Sequence, residues 1–220
     1  FTGVFLGACL VANAQEKTEQ LCDAAASPET CVPDTIEVTI DGDTQSTLEY
    51  EDFATEIEGK TIDVTVITET KTAAVQGWSY GVGHDMASVN VTDANITGTD
   101  AEGLIDFGFD ATSAEDIETC GVGDPDCLDA NRTDGGGFIS AVVLSFTKPI
   151  ELPLTRNSIA NAKYQVTQDV GAEGTVLAVS DQLAKKKSPP TDINLTVEGK
   201  SKKWETAING WIKLKDGGCV

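Results

Sequence analysis

A chain of 220 residues that is 40% hydrophobic can bury a sizeable core, as one large domain or two small ones. Its 36 acidic against 15 basic residues give a formal charge of −21, which argues against nucleic acid or an anionic membrane as partner and for a heavily hydrated surface. The charge is uneven: residues 1–147 hold 28 acidic and 4 basic residues (net −24), and residues 148–220 hold 8 and 11 (net +3).

The first element is the uncharged stretch FTGVFLGACLVANA. Its ANA before Gln15 has the small-x-small form of a signal-peptide cleavage site, but a basic n-region is missing. LGAC looks like a lipobox around Cys9, yet Leu10 and Val11 stand where a polar spacer is expected. Apolar residues fall on both parities, so as a strand both of its faces need cover. One source of cover is the chain's own sandwich. The other is a second copy, into whose open sheet Phe1, Val4, Phe5, Leu6, Leu10 and Val11 would insert as a polymerisation strand. At about 3.3 Å per residue the stretch reaches on the order of 46 Å, enough to cross a neighbour. As a helix it falls short of the roughly 20 apolar residues that span a bilayer. QEKTEQ then reads as a hydrophilic linker, and CDAAASPETC as a loop closed by a Cys22–Cys31 disulfide. The domain reading is therefore a tail, linker and Cys-bracketed loop over 1–33, and a sandwich over 34–220.

From Thr35 onward the pattern is strand after strand. TIEVTI and TLEY, separated by DGD, predict a hairpin over 35–50. Strands follow at 61–68, 74–83, 87–97 and 103–110. The third of these carries sequons at Asn90 and Asn95, which would crowd two glycans onto one strand or turn. SAEDIETC (113–120) predicts a turn or two of helix. CGVGDPDC predicts a Cys120–Cys127 disulfide, and DPDCLDANRTD offers Asp124, Asp126, Asp129 and Asp134 as candidate calcium ligands beside a sequon at Asn131. The spacing is not that of an EF-hand, and a solvated loop can equally spread these carboxylates apart. With one His and no CxxC pair, zinc is disfavoured.

Further strands are predicted at 137–146, 161–169, 174–180, 192–199 and 204–215, ten to eleven in all, with a fourth sequon at Asn194. SDQLAKKK predicts a short helical turn that Pro189 and Pro190 end. Trp78, Val82, Phe138, Val142, Leu144, Tyr164, Val166, Leu177, Val179 and Trp211 recur on the apolar faces and form the predicted core. Cys9 and Cys219, one near each end, are candidates for intermolecular pairing, with a bridge inside one chain as the alternative. The fold class is an all-β, two-sheet antiparallel sandwich of jelly-roll type with an extended N-terminal apolar tail.

VQGWSYGVGHD and GGGFISAVVLSF, followed by TKPIELPLTRNSIANAKYQVT, resemble the cohesin-like β-sandwich of secreted bacterial surface modules over roughly residues 35–215. The resemblance implies the fold and an extracellular, cell-surface location. Cohesins bind dockerins, but no residue here identifies that partner, and the apolar tail and Cys-bracketed loops depart from the pattern. Ser79, His84 and Asp85 are the residue types of a hydrolase but sit within seven residues on one strand end, without a nucleophile elbow, so no catalysis and no cofactor beyond candidate calcium is expected. The expectation from sequence is a secreted structural subunit, a head-to-tail polymer of itself built by strand exchange through residues 1–14. The alternative is a monomeric adhesion or binding module with a protein or carbohydrate ligand.

Overall fold

The computed structural model describes residues 18–42, 45–71, 74–85, 87–115, 135–180 and 192–215. In chain order the strands are β1 (Thr18–Gln20), β2 (Cys31–Ile40), β3 (Thr47–Tyr50), β4 (Ile62–Glu69), β5 (Val75–Asp85), β6 (Val89–Asn95), β7 (Phe109–Asp110) and β8 (Ser113–Glu115). They continue with β9 (Gly135–Val143), β10 (Arg156–Val166), β11 (Thr175–Ser180), β12 (Asn194–Val197), β13 (Lys200–Ile208) and β14 (Gly210–Leu214). A single helical turn, α1 (Phe53–Glu56), is capped by Asp52, whose side chain accepts from the Thr55 amide.

The strands make two layers. One runs β6-β10-β4-β2-β13, with β1 on the far edge of β13. The other centres on β5: β9 bonds one edge, while β12 and β11 share the other edge in succession, at Val75–Ser79 and Gly81–Gly83. β7 and β8 cover the outer edge of β9, and β14 and β3 extend the layer beyond β11. Pairing is antiparallel except between β2 and β13 and between β3 and β14, which run parallel.

Alternation decides which side chains meet between the layers. Trp204, Tyr50, Tyr80, Tyr164 and Phe138 are the largest fully buried side chains, and Tyr80 packs edge-on against both Phe138 and Trp204. Two of the three buried indoles find acceptors: Trp204 Nε1 donates to Thr68 Oγ1 (2.8 Å) and Trp78 Nε1 to Ser140 Oγ (3.0 Å), while Trp211 Nε1 has no acceptor among the described residues. All ten predicted core residues are buried, Trp211 being the most exposed of them at 8%. Among the described residues the interior is filled by the chain's own side chains. The six residues of the proposed polymerisation strand lie outside the described residues.

Several local expectations are corrected. The 35–50 hairpin does not form: β3 leaves β2 and pairs in parallel with β14, where the Tyr50 side chain reaches the core. Residues 103–110 give only a 3-10 turn (Glu102–Leu104) and the two-residue β7. Ser113–Glu115 is strand, not helix, because it pairs with β9. The single strand expected over 204–215 is two, broken at Asn209, whose buried Oδ1 accepts from the Val179 amide (3.0 Å) and so ties the corner to β11. QEKTEQ is not purely a linker: Thr18–Gln20 bond to β13, and β2 begins at Cys31, ahead of the boundary at residue 34.

Candidate docking face

Trp78, Tyr80, Val82 and His84 of β5 point into the core, and Gly77, Ser79, Gly81 and Gly83 take the opposite parity; of these only Ser79 is half-buried, the three glycines being buried as well. On β9, Phe138, Ser140 and Val142 are buried, so Gly137, Ile139, Ala141 and Val143 face outward. On the other side of β5 the outward positions are Ala178 and Ser180 of β11 and Asn194 and Thr196 of β12. Registers align these columns into rows, such as Ala141–Ser79–Asn194 and Val143–Gly77–Thr196. None of these positions is charged, in a chain of net charge −21, and the first charge on the same side of β5 is the exposed Asp85 at its end.

The outer face of the other layer has the opposite character. It presents Glu37, Asp63, Glu69, Asp93, Arg156 and Lys163, with Arg156 Nη1 2.6 Å from Glu37 Oε2. On the uncharged face the water-accessible positions are the half-buried Ser79, Ile139, Ala141, Val143, Ser180, Asn194 and Thr196, while the glycines and Ala178 are buried.

Local chemistry keeps the glycine column flat. A Cβ on Gly77 would lie 2.6 Å from the Val142 carbonyl oxygen, so β5 and β9 approach there only because the side chain is absent. Ser79 donates to the Asp192 carbonyl (2.6 Å) and accepts from Asn194 Nδ2 (3.1 Å), so its hydroxyl is held down between β5 and β12.

No protein-family model matches this sequence, and no curated protein matches it. Among solved structures, the sixth cohesin of scaffoldin B from Acetivibrio cellulolyticus, in complex with a mutant Cel5 dockerin, superposes with a TM-score of 0.51 at 10% identity. That match covers 84% of this chain and 100% of that one. The OlpC cohesin of a type I cohesin–dockerin complex from Clostridium thermocellum gives 0.50 at 8% identity, over 83% and 93% of the two chains. The fold is cohesin-like.

At one corner of this cohesin-like sandwich the outer face runs onto a ledge of exposed aromatics. Phe109 is 50% exposed and pairs with Val143; Phe107 and Phe146, whose backbones are hydrogen-bonded, are 78% and 70% exposed. Phe107 adopts φ +52, rare for an aromatic residue, and Gly108 is pressed so close to β9 that any Cβ would overlap the Val143 carbonyl. The segment therefore lies flat on the sheet edge with a phenyl group displayed on each side of the glycine.

The remaining predicted sites place as follows. Cys22 and Cys31 form a disulfide, their Cα atoms 6.0 Å apart. Cys120, Cys127, Cys9, Cys219, Asn131 and the aspartates at 124, 126, 129 and 134 lie outside the described residues. Ser79 and His84 point to opposite sides of β5, and His84 is buried against Tyr164, so no triad is assembled. Among the described residues no group of three His, Cys, Asp or Glu is placed to hold a metal ion, and no helix is long and apolar enough to cross a membrane. The docking face itself was missed in the sequence. Its signal was the alternation of Gly77, Ser79, Gly81 and Gly83 with four large inward residues, which marks the small residues as one whole side of a strand.

Proposed function

We propose that this chain is a secreted, non-catalytic protein-binding module that docks its partner on the outer face of β9, β5, β11 and β12. The observation that carries the reading is the uncharged set of half-buried positions on β9, β5, β11 and β12, flanking the small residues of β5. The columns on either side of β5 stand two strand spacings apart, about 9.5 Å. That matches an α-helix about 10 Å across, laid along the small residues with its side chains over Ile139 and Ala141. The two cohesins that share the fold were solved in complexes with dockerins, which supports a dockerin-like module as the partner class. The exposed phenylalanines at the corner would extend the same contact.

The test is calorimetric titration of the full chain against a set of dockerin modules, with Ala141→Arg on the docking face and Lys163→Glu on the opposite face. Binding that falls about 100-fold or more in the first variant and not in the second supports the reading. Binding lost only in the second variant, or no binding by any module, overturns it.

A further inference from the structure

Two of the sequons were expected on one strand or turn, and β6 carries both Asn90 and Asn95. On β6, Asn90 pairs with Gln165 and Asn95 with Asn161, and the register slips between Lys163 and Tyr164 so that Thr92 is the extra, bulged residue. Without the bulge, positions five apart would point to opposite sides of the strand. With it, both asparagines share the outer face of the charged layer, separated by four residues of β10, about 13 Å.

Among the described residues β6 is the edge strand of its layer, which favours access by an enzyme that must grip an Asn-x-Thr segment. Asn90 is exposed. Asn95 is half-buried, accepts the Thr97 amide on Oδ1 (2.9 Å) and donates from Nδ2 to Asp93 Oδ2 (2.9 Å), two local bonds that orient its side chain. Beside it lies a trough of about 440 Å³ whose lining mixes polar side chains such as Asp93 and Lys163 with Val64 and Ala162. Asn194 is half-buried like Asn95 but differs in its strand. It sits on β12, bonded on both edges by β5 and β13, and its Nδ2 is engaged by Ser79 Oγ.

We propose that Asn90 and Asn95 carry N-linked glycans on the outer face of the charged layer and that Asn194 stays bare. The donor is an oligosaccharide linked through phosphate to a polyisoprenoid carrier. Nδ2 forms a bond to the anomeric carbon, the bond from that carbon to the phosphate oxygen breaks, the carrier phosphate leaves with the electron pair, and the proton lost from Nδ2 goes to a base of the transferase. Two glycans there would flank the edge of β6 away from β10, which pairs with no other strand among the described residues.

Peptide mapping of the full chain isolated from its native host tests this. The expected result is glycan mass on the Asn90 and Asn95 peptides, with enzymatic release in heavy-oxygen water leaving labelled aspartate at both positions and none at 194. Asn90→Gln and Thr92→Val should each remove one glycan from the intact mass. Unmodified Asn90 and Asn95, a glycan at Asn194, or a glycan that survives Thr92→Val overturns the proposal. Dockerin binding is read separately and does not bear on the outcome.

Discussion

Tyr50 donates its phenolic hydrogen to Asp169 Oδ1 at 2.6 Å and accepts the Val170 amide at 3.1 Å, which ties the end of β3 to the turn between β10 and β11. Burial, then the bond to Asp169, pushes the Tyr50 phenol up to about 12. The bond from Tyr50, then the Gly171 amide, holds the Asp169 carboxyl below the usual carboxylate range. Tyr80 and Tyr164, the only other tyrosines, are driven higher still by burial.

All three phenols therefore stay protonated in the folded protein up to about pH 11, whereas the unfolded chain titrates near 10. A folded pKa above the unfolded one gives stability that is complete below pH 10 and lost as pH rises through the folded value. Tyrosinate absorbance during alkaline titration should be silent until unfolding and then rise in one cooperative step. Gradual ionisation near pH 10 in the folded protein would contradict the burial of these rings.

At the acid end the sign is reversed. The depressed Asp169 carboxyl contributes stability that is present above the unfolded carboxylate pKa, about 3.9, and fades as pH falls through the lower folded value. Tyr50→Phe removes the main cause of that shift. Its thermal midpoint should therefore depend less on pH below about 4 than that of the parent chain, as calorimetry at a series of pH values would show.

Thr68→Val deletes the acceptor of the buried Trp204 indole while keeping the shape of the side chain. Leaving that N–H unsatisfied should cost about 1–3 kcal/mol in a urea unfolding curve. A loss below about 0.5 kcal/mol would mean that the indole finds another acceptor.

The Cys22–Cys31 disulfide closes a short loop, with a sequence separation of 9, at the entry to β2. Replacing both cysteines by serine should lower stability by about 2–3 kcal/mol, and the parent chain should lose the same amount under reductant. The loss should be measured by chemical denaturation with and without reductant, and the double variant should not respond to it.

Gly77→Ala places a methyl group 2.6 Å from the Val142 carbonyl, where backbone rather than a flexible side chain must move. The expected cost is about 1–3 kcal/mol. Because the strain opens β5 from β9 on the docking face, faster amide exchange at β9 should accompany it.

The buried half of this architecture was legible because alternation is a local property: the ten core positions could be read one strand at a time. Pairing was not, because it depends on what the rest of the chain leaves free. TLEY beside TIEVTI has every mark of a hairpin, yet β14, far off in sequence, supplies the neighbour that β3 takes. Ser113–Glu115 shows the same limit, since a short polar segment becomes strand only when the edge of β9 is there to receive it. The candidate site was hidden for a related reason. Small uncharged residues carry no chemical signature, and they acquire meaning only when registers bring the columns of β9, β5, β11 and β12 side by side.

The parallel pairing of β2 with β13 has a mechanical consequence. Tension drawn through the chain before β2 and after β13 pulls the two strands lengthwise past each other in opposite directions, so the bonds from Lys203–Cys31 to Ile208–Glu37 share the load together. A hairpin pulled from its open end would instead unzip one bond at a time. Joined in series with other modules, this sandwich would stretch its neighbours' linkers before it gave way itself.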